Sequence, residues 1–185
     1  MKNYNFLKSL FTILILFCSH VKSGQSEVRE PNYDFKYESF LDFYPGKLLE
    51  NIQKKNGNGI LMEKGDKSEI YKYYISYKSY NFPILIQVTK GKVTDFFTNL
   101  PSYFLHDVFH QSLINRLGKQ DIYKKINESA VYIWRNQKNL KHVYHGACTI
   151  TCFPIFYSVI GLDNPNDYKS LLKKYQDTPT SLIGI

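Results

Sequence analysis

The sequence lacks the motifs that identify common enzymes. It contains no glycine-rich phosphate loop, no Gly-x-Ser-x-Gly nucleophile turn and no closely spaced carboxylate pair that differs from a solvated surface. Cysteine is scarce as well: the chain has 3 cysteines, and only Cys148 and Cys152 follow the N-terminal apolar stretch. No reaction is indicated, so we expect a binding protein rather than an enzyme.

Long apolar runs are also scarce. The run from Leu10 to Cys18 is nine residues long, whereas a membrane-spanning helix needs roughly 20. Lys2 and Lys8 lie before it, and polar residues follow it. This order is typical of a cleavable secretory signal, and an uncleaved membrane anchor is the alternative. We expect residues 1–23 to be removed, and the mature protein to be secreted or periplasmic with no membrane span.

The remaining chain has the length of one domain. Residues 24–45 have no periodicity and are predicted to form an extended lead-in, and residues 46–185 a single domain. The whole chain has a formal net charge of +8, which falls to +5 when the leader and its three lysines are removed. A basic excess of this size favours acidic partners without selecting among them.

Tyrosine is abundant, and it alternates with other residues in the stretch 71–80. Alternation with a period of two is typical of a β-strand with one face in water. Tyrosine is also common at recognition surfaces, because its ring is apolar and its hydroxyl is polar. The stretch therefore predicts a strand, and its aromatic face is either an ordinary sheet face or a binding face.

Apolar spacing and glycine positions predict two helices and several strands. One helix follows Pro45 and ends at the glycines around residue 58, and a second runs from Pro101 to Gly118. Strands are predicted at 60–63, 70–77, 83–89, 93–97, 122–123 and 130–135. They are followed by an extended run from 142 to 160 that is broken near Cys152-Phe153-Pro154, and by a short C-terminal helix from Asn164 to Tyr175.

The order of helix, glycine stop and strands occurs twice, with an offset of about 61 residues. We interpret the segments 46–97 and 102–160 as divergent repeats. Each repeat alone would expose one side of its strands. The predicted fold class is therefore α+β: one antiparallel sheet built from both repeats, with helices on one face and a short C-terminal helix.

The segment 109–121, followed by Tyr132-Ile133-Trp134, resembles the helix, Leu-Gly and Tyr-x-Trp pattern of SmpA/OmlA-like envelope proteins. A duplicated unit of a helix and antiparallel strands is also similar to the architecture of secreted β-lactamase inhibitor proteins. The resemblance implies an exported protein with a tandem α+β fold. The chain has neither the lipid-attachment cysteine of the first family nor one cysteine pair in each half, so the resemblance implies no site residue.

Cys148 and Cys152 lie in a chain predicted to reach an oxidising compartment, where disulfides persist. Along a regular strand their Cα atoms would be about 13 Å apart, which is too far for a disulfide. A bond between them therefore requires a bend or a hairpin. Two buried free thiols, or a bond to another chain, are the alternatives.

Four histidines could form a metal site: His106 and His110 at helical spacing, and His142 and His145 just before Cys148. Such a set could hold zinc with a cysteine. A regular strand, however, would place the side chains of residues 142 and 145 on opposite faces. Ordinary histidines at the boundary of the core are the simpler interpretation.

We therefore expect an exported, monomeric binding protein without a cofactor. Its predicted binding residues are Tyr71, Tyr73, Tyr77, Tyr132 and Trp134, on an exposed sheet face rimmed by lysine. A protein or an acidic polymer is the expected partner, and nucleic acid is not expected. The alternative is a zinc-dependent or thiol-dependent enzyme centred on the histidines and cysteines.

Overall fold

The computed structural model describes residues 37–77, 80–101, 105–126, 128–148, 152–163 and 168–176. The predicted signal at 1–23 and the first part of the lead-in lie outside these residues. The described helices are α1 (Glu38–Leu41), α2 (Leu49–Asn56), α3 (His106–Leu117) and α4 (Leu171–Gln176). The strands are β1 (Ile60–Lys64), β2 (Glu69–Tyr77), β3 (Tyr80–Thr89), β4 (Lys92–Asn99), β5 (Ile122–Ile126), β6 (Ser129–Gln137), β7 (Leu140–Cys148) and β8 (Cys152–Gly161).

The strands form one eight-stranded sheet in the order β1-β2-β3-β4-β8-β7-β6-β5. Every neighbouring pair is antiparallel. The predicted α+β class with an antiparallel sheet is confirmed. Because the order begins with β1 and ends with β5, these two short strands are the edges, and the pair β4–β8 joins the two groups of four strands at the centre.

Glycine ends both of the longer helices, as their sequence predicts. Gly57 follows α2 with φ 80°, and Gly118 follows α3 with φ 77°. Glycine alone adopts this backbone region at little cost, because it has no Cβ. The glycine N–H groups donate to Gln53 O at 2.9 Å and to Ile114 O at 2.8 Å. These bonds satisfy carbonyls that a helix end otherwise leaves unpaired.

Buried side chains of α1, α2 and α3 belong to one core cluster with residues of the strands, and we call the side of the sheet on which these strand residues lie the helix face. Alternate strand residues point to this face, and they form a large aromatic core with the buried side of each helix. From the helices it includes Phe40, Ile52, Phe109 and Leu113, and from the strands Tyr73, Ile84, Ile86, Phe96, Tyr132, Trp134, Tyr144 and Tyr157. Rings within it meet edge-on and tilted, as aromatic packing favours.

Helix α4 packs on the opposite face. Leu171 and Leu172 lie in a second cluster with Leu85, Phe97 and Phe156. Each of these strand residues is adjacent in sequence to a residue of the first core, so its side chain points to the other side of the sheet. We call this side the α4 face. The C-terminal helix thus does not share the face of the other three.

The predicted extended lead-in is wrong for its last nine residues. Residues 38–41 form α1, and Tyr37, Phe40 and Phe43 are buried in the first core. Their spacing of three residues is close to one helical turn, which places them on one side of the chain. The domain therefore begins before residue 46, because these three rings complete the core that the sheet and the longer helices form.

The predicted extended run from 142 to 160 is two strands. Strands β7 and β8 are antiparallel neighbours in which Cys148 pairs with Cys152, so the chain reverses between these residues. Thr149-Ile150-Thr151 contains no residue that is typical of turns, so the sequence predicted a break near Cys152 but no turn before it. The final helix begins at Leu171 rather than at Asn164, and residues 164–167 lie outside the described part of the chain.

Candidate binding surface

Most of the predicted aromatic binding face is buried. Tyr73, Tyr132 and Trp134 point to the helix face, where they are 3%, 9% and 0% exposed. Trp134 Nε1–H donates to Gly118 O at 2.7 Å, and the Tyr73 hydroxyl donates to Asn58 O at 3.1 Å. These side chains cannot contact a partner while the helices cover them, so their assignment as binding residues is corrected to a role in the core.

The other two predicted residues lie on the same strand as Tyr73. Tyr71 is half-buried, and its hydroxyl donates to Glu69 Oε2 at 2.8 Å. Burial raises the pKa of Tyr71 to about 12, so its hydroxyl keeps its proton at physiological pH. The side chain of Tyr77 lies outside the described part of the structure. Among the predicted set, Tyr71 therefore remains available at the surface.

His106 and His110 lie one turn apart on α3, with stacked rings whose centroids are 5.6 Å apart. His106 Nδ1 is 2.7 Å from the Tyr144 hydroxyl, and its Nε2 is 3.4 Å from the Tyr132 hydroxyl. Burial lowers the pKa of both histidines, so both are neutral near pH 7. Both ring nitrogens of His106 already have tyrosine partners in this arrangement.

His142 and His145 do not join this pair. His142 is fully buried on the helix face, where its Nδ1 is 2.7 Å from the Tyr157 hydroxyl. Burial lowers its pKa to about 4. His145 points to the α4 face and packs edge-on against Phe156. The four predicted metal ligands are therefore not together. His106 and His110 form one pair on the helix face, His142 lies elsewhere on that face, and His145 lies on the α4 face.

No group of three or more histidine, cysteine or acidic side chains within the described residues is arranged to hold a metal ion. The predicted set contributes His106 and His110 together, and two imidazoles are fewer than the four ligands of a structural zinc site. The geometry of the described chain therefore offers no support for the zinc alternative.

Cys148 and Cys152 form a disulfide across the end of the β7–β8 hairpin, with Cα atoms 4.0 Å apart. The hairpin supplies the bend that the sequence required for this bond. Neither sulfur can act as a thiolate nucleophile while the bond is intact. Among the described residues, a thiol-dependent reaction therefore has no cysteine nucleophile while this bond is intact.

The clearest exposed apolar surface is the edge strand β1. All five of its side chains are exposed, and Ile60, Leu61 and Met62 are 50%, 48% and 45% exposed. We call these three residues the apolar edge. Within the described chain, β1 pairs with β2 alone, so the backbone groups on its outer side are unpaired. Exposed edge strands of this kind are templates for pairing with another strand.

Two tyrosines of β2 extend the apolar edge. Tyr71 is the cross-strand partner of Leu61, so the two side chains lie on the same face. Tyr74 is 52% exposed on the α4 face, diagonal to Ile60. Lys72 places its ammonium group 5.6 Å from the centre of the Tyr74 ring. The surface therefore carries aliphatic and aromatic contact area on both sides of the strand.

The charges of β1 are paired within the protein. Glu63 accepts a hydrogen bond from Lys174 of α4 at 2.9 Å, and Lys64 lies 3.2 Å from Glu69. Exposed ion pairs contribute little to stability, but they do reduce the charge that a partner meets. The apolar edge is therefore followed by two charged side chains that are both paired within the protein.

The opposite edge, β5, carries different side chains. Tyr123 is 53% exposed and its ring packs at 5.3 Å from that of Tyr132. Lys124 and Lys125 follow it and are exposed. Neither lysine has an ion-pair partner in the described part of the chain. Lysine on an edge strand is a common way to disfavour strand pairing, so β5 is protected where β1 is not.

A shallow groove of about 460 Å³ lies at the end of the sheet near the β3–β4 turn. Lys90, Lys92, Thr89 and Tyr168 are among its lining residues. The groove is separate from the apolar edge and brings together neither a catalytic set nor a group of metal ligands, so it does not define an active site.

No helix in the described residues is long and apolar enough to span a bilayer.

The apolar edge was not among the predicted binding residues. Its sequence signal is the run Ile60-Leu61-Met62 directly after Gly57-Asn58-Gly59. This run predicts a strand, but only the order of strands in the sheet shows that it is an edge.

Comparison with known proteins gave no matching family model, no similar curated protein and no similar solved structure.

Proposed function

We propose that this chain is an exported, non-enzymatic binding protein that recognises an extended apolar segment of another protein by strand addition at β1. The observation that carries the proposal is the apolar edge: three consecutive exposed apolar side chains on a strand whose outer backbone is unpaired within the described chain. Strand addition combines backbone hydrogen bonds with side-chain contacts on alternate positions.

A second copy of the chain is the main alternative occupant of the apolar edge. In an antiparallel pair centred on Met62, Leu61 of one copy would lie opposite Glu63 of the other, which brings a carboxylate against an aliphatic side chain and is unfavourable. A pair centred on Leu61 instead places Ile60 opposite Met62. Self-association is therefore an outcome that the binding test has to distinguish.

Two features support export. The leader at 1–23 has the order of charged, apolar and polar segments that secretory signals carry. The Cys148–Cys152 disulfide is the second feature, because disulfides persist in oxidising compartments and are rare in the cytosol. Periplasm and extracellular space are both consistent with this proposal.

We further propose that the domain arose by duplication of a helix and four strands. The sheet order is symmetric about the β4–β8 pair, and an offset of 61 residues relates the capping glycines Gly57 and Gly118. The same offset relates Tyr73 to Trp134. Each of these buried rings donates a hydrogen bond to a carbonyl just after a helix, at Asn58 and Gly118 respectively.

A random dodecapeptide display library, selected against the oxidised full chain, tests the binding proposal. We expect peptides with alternating apolar residues. Their dissociation constants are then measured for the double variant Leu61→Lys, Met62→Lys, which gives β1 the lysines that protect β5. Loss of two apolar contacts should weaken binding at least about tenfold, which corresponds to about 1.4 kcal/mol.

Tyr123→Lys is the matched control, because Tyr123 is the residue of β5 at an offset of 61 from Met62. This variant should bind the selected peptides as the wild type does. A library without binders, or peptides that bind both variants equally, would contradict the proposal. Self-association that the β1 variant abolishes would assign the apolar edge to a second copy of the chain and would also contradict the proposal. Polyanion binding that Lys124→Ala abolishes, together with no peptide binding at β1, would place the binding surface at β5 and would contradict it too.

A further inference from the structure

Asp95 is a fully buried acid at the contact between the sheet and α4. It lies on β4 with its side chain on the α4 face and is 0% exposed. The backbone N–H of Leu171, the first residue of α4, donates to Asp95 Oδ2 at 2.6 Å. The helix therefore meets the sheet through this carboxyl group as well as through its leucines.

The hydrogen bonds around Asp95 fit a neutral carboxyl group. Thr94 Oγ1 is 3.0 Å from Asp95 Oδ1 and 3.1 Å from Gln87 O. A hydroxyl group has one hydrogen, so it cannot donate to both oxygens. If Asp95 is protonated on Oδ1, it donates to Thr94 Oγ1 and the threonine donates to Gln87 O. Both short contacts are then hydrogen bonds, whereas an ionised Asp95 leaves one of them without a hydrogen.

The surroundings of Asp95 offer little to stabilise a negative charge. Its cross-strand neighbour Gln87 is buried, and neither polar atom of its side chain has a hydrogen-bond partner in the described structure. Its neighbour on β8 is Ile160. The charged or titratable groups that act on Asp95 are Lys174 of α4 and Tyr168 just before that helix. Burial dominates and raises the pKa of Asp95 to about 7.

Helix α4 also contacts the sheet through its apolar side chains and Lys174. Leu171 and Leu172 fill the second cluster, Tyr175 stacks on Phe97 at 5.6 Å, and Lys174 pairs with Glu63 on β1. We propose that Asp95 is a proton-controlled latch for α4: its neutral carboxyl group holds the helix against the sheet, and loss of the proton loosens that contact. The latch does not depend on the proposed function of β1.

The direction with pH follows from the two states of the acid. A buried group with a raised pKa stabilises the docked helix most at low pH, and that stabilisation is lost as pH rises through about 7. Opening of α4 exposes Asp95 to water, where its pKa is about 4. The opening equilibrium of the helix should therefore increase about tenfold between pH 6 and pH 8 and level off above pH 8.

Amide hydrogen exchange of the wild-type chain measures this opening. Protection factors of the α4 amides, corrected for intrinsic exchange and compared with those of β7, should fall about tenfold between pH 6 and pH 8. Asp95→Asn is the decisive variant, because an amide keeps the acceptor for Leu171 N–H and a donor for Thr94 Oγ1 but does not titrate. Its α4 protection should not change over this range.

Asp66→Asn, at an exposed turn position, is the matched control and should behave as the wild type. The carboxyl ¹³C shift of Asp95 gives a second test that needs no variant, with an expected inflection near pH 7. Three results would overturn the latch. The first is α4 protection in the wild type that stays constant between pH 6 and pH 8, and the second is a fall in α4 protection that is equally large in Asp95→Asn. The third is an inflection of the Asp95 carboxyl ¹³C shift near pH 4.

Discussion

The half of the sheet formed by β1–β4 and the half formed by β5–β8 have the same order of strands but differ at the outer edge and on the α4 face. At the outer edge, the first half exposes Ile60, Leu61 and Met62, whereas the second half exposes Tyr123 followed by two lysines. On the α4 face, β4 carries Asp95 where β8, 61 residues later, carries Phe156. On the helix face, each half carries a buried ring that donates a hydrogen bond to a carbonyl just after a helix, Tyr73 in the first half and Trp134 in the second.

The largest expected effect concerns the feature that the two halves share. Trp134→Ala removes a fully buried ring and its hydrogen bond to Gly118 O. We expect the free energy of unfolding to fall by about 3–5 kcal/mol, as for other buried aromatic residues. Tyr73→Ala should have a comparable effect in the first half. Urea unfolding at constant pH measures both changes.

Tyr74→Ala is the control for this pair, because Tyr74 follows Tyr73 in sequence and is 52% exposed. Its effect on stability should be within about 0.5 kcal/mol. If Tyr73→Ala or Trp134→Ala were as mild as Tyr74→Ala, the assignment of these rings to the core would be wrong.

The next effect depends on pH and separates Asp95 from the histidines. The pKa of Asp95 is raised to about 7, so its contribution to stability is present at low pH and decreases as pH rises. Between pH 5 and pH 8 the wild type should lose about 2–3 kcal/mol relative to Asp95→Asn. Urea unfolding of both proteins across this range measures the difference.

Comparison with Asp95→Asn is necessary because His142 acts in the opposite direction. Burial lowers the pKa of His142 to about 4, so its contribution is present above about pH 6.5 and is lost as pH falls toward 4. The two slopes partly cancel in the wild type below pH 6.5. Asp95→Asn should therefore become more stable as pH rises from 5 to 7, and a constant difference between the two proteins at all pH values would contradict the assignment.

A smaller effect is expected from the disulfide, which belongs to the second half. The double variant Cys148→Ser, Cys152→Ser opens a loop of five residues, for which loop-closure entropy predicts a loss of about 2 kcal/mol. Thermal unfolding with and without reductant measures this loss. The reductant should have no effect on the double variant, and destabilisation of that variant by reductant would show a different origin.

The smallest effect on stability is expected at the edges. We expect two edge variants to change the free energy of unfolding by less than about 1 kcal/mol each, because the replaced side chains are exposed. These are the β1 double variant Leu61→Lys, Met62→Lys and the β5 variant Tyr123→Lys. Circular dichroism and urea unfolding provide the measurement. A large loss for the β1 variant would mean that the apolar edge supports the fold and would weaken its interpretation as a binding surface.

Local patterns in the sequence predicted the local structure. The glycine stops at 57 and 118 and the apolar spacing before them gave the ends of α2 and α3, because helix termination depends on neighbouring residues. Period-two alternation of tyrosine in the stretch 71–80 predicted β2. The reversal between Cys148 and Cys152 was expected only if the two cysteines form a disulfide, and that bond was one of several alternatives, because no residue typical of turns lies between them.

The location of the binding surface could not be predicted in the same way. Alternation shows that Tyr73 and Tyr74 point to opposite faces, but it does not show which face the helices cover. Their exposures of 3% and 52% follow from the packing of α1, α2 and α3 on one side. The edge position of β1 depends on the pairing of β4 with β8, a contact between residues far apart in sequence.

Amide hydrogen exchange of the oxidised chain with a selected apolar peptide is the most direct test of strand addition at β1. We predict increased protection of the β1 amides, Ile60–Lys64, on addition of the peptide, because their outward backbone groups become paired. The amides of β5 should be unchanged. Protection gained at β5 instead, or bound peptide without any change at β1, would contradict the proposed function.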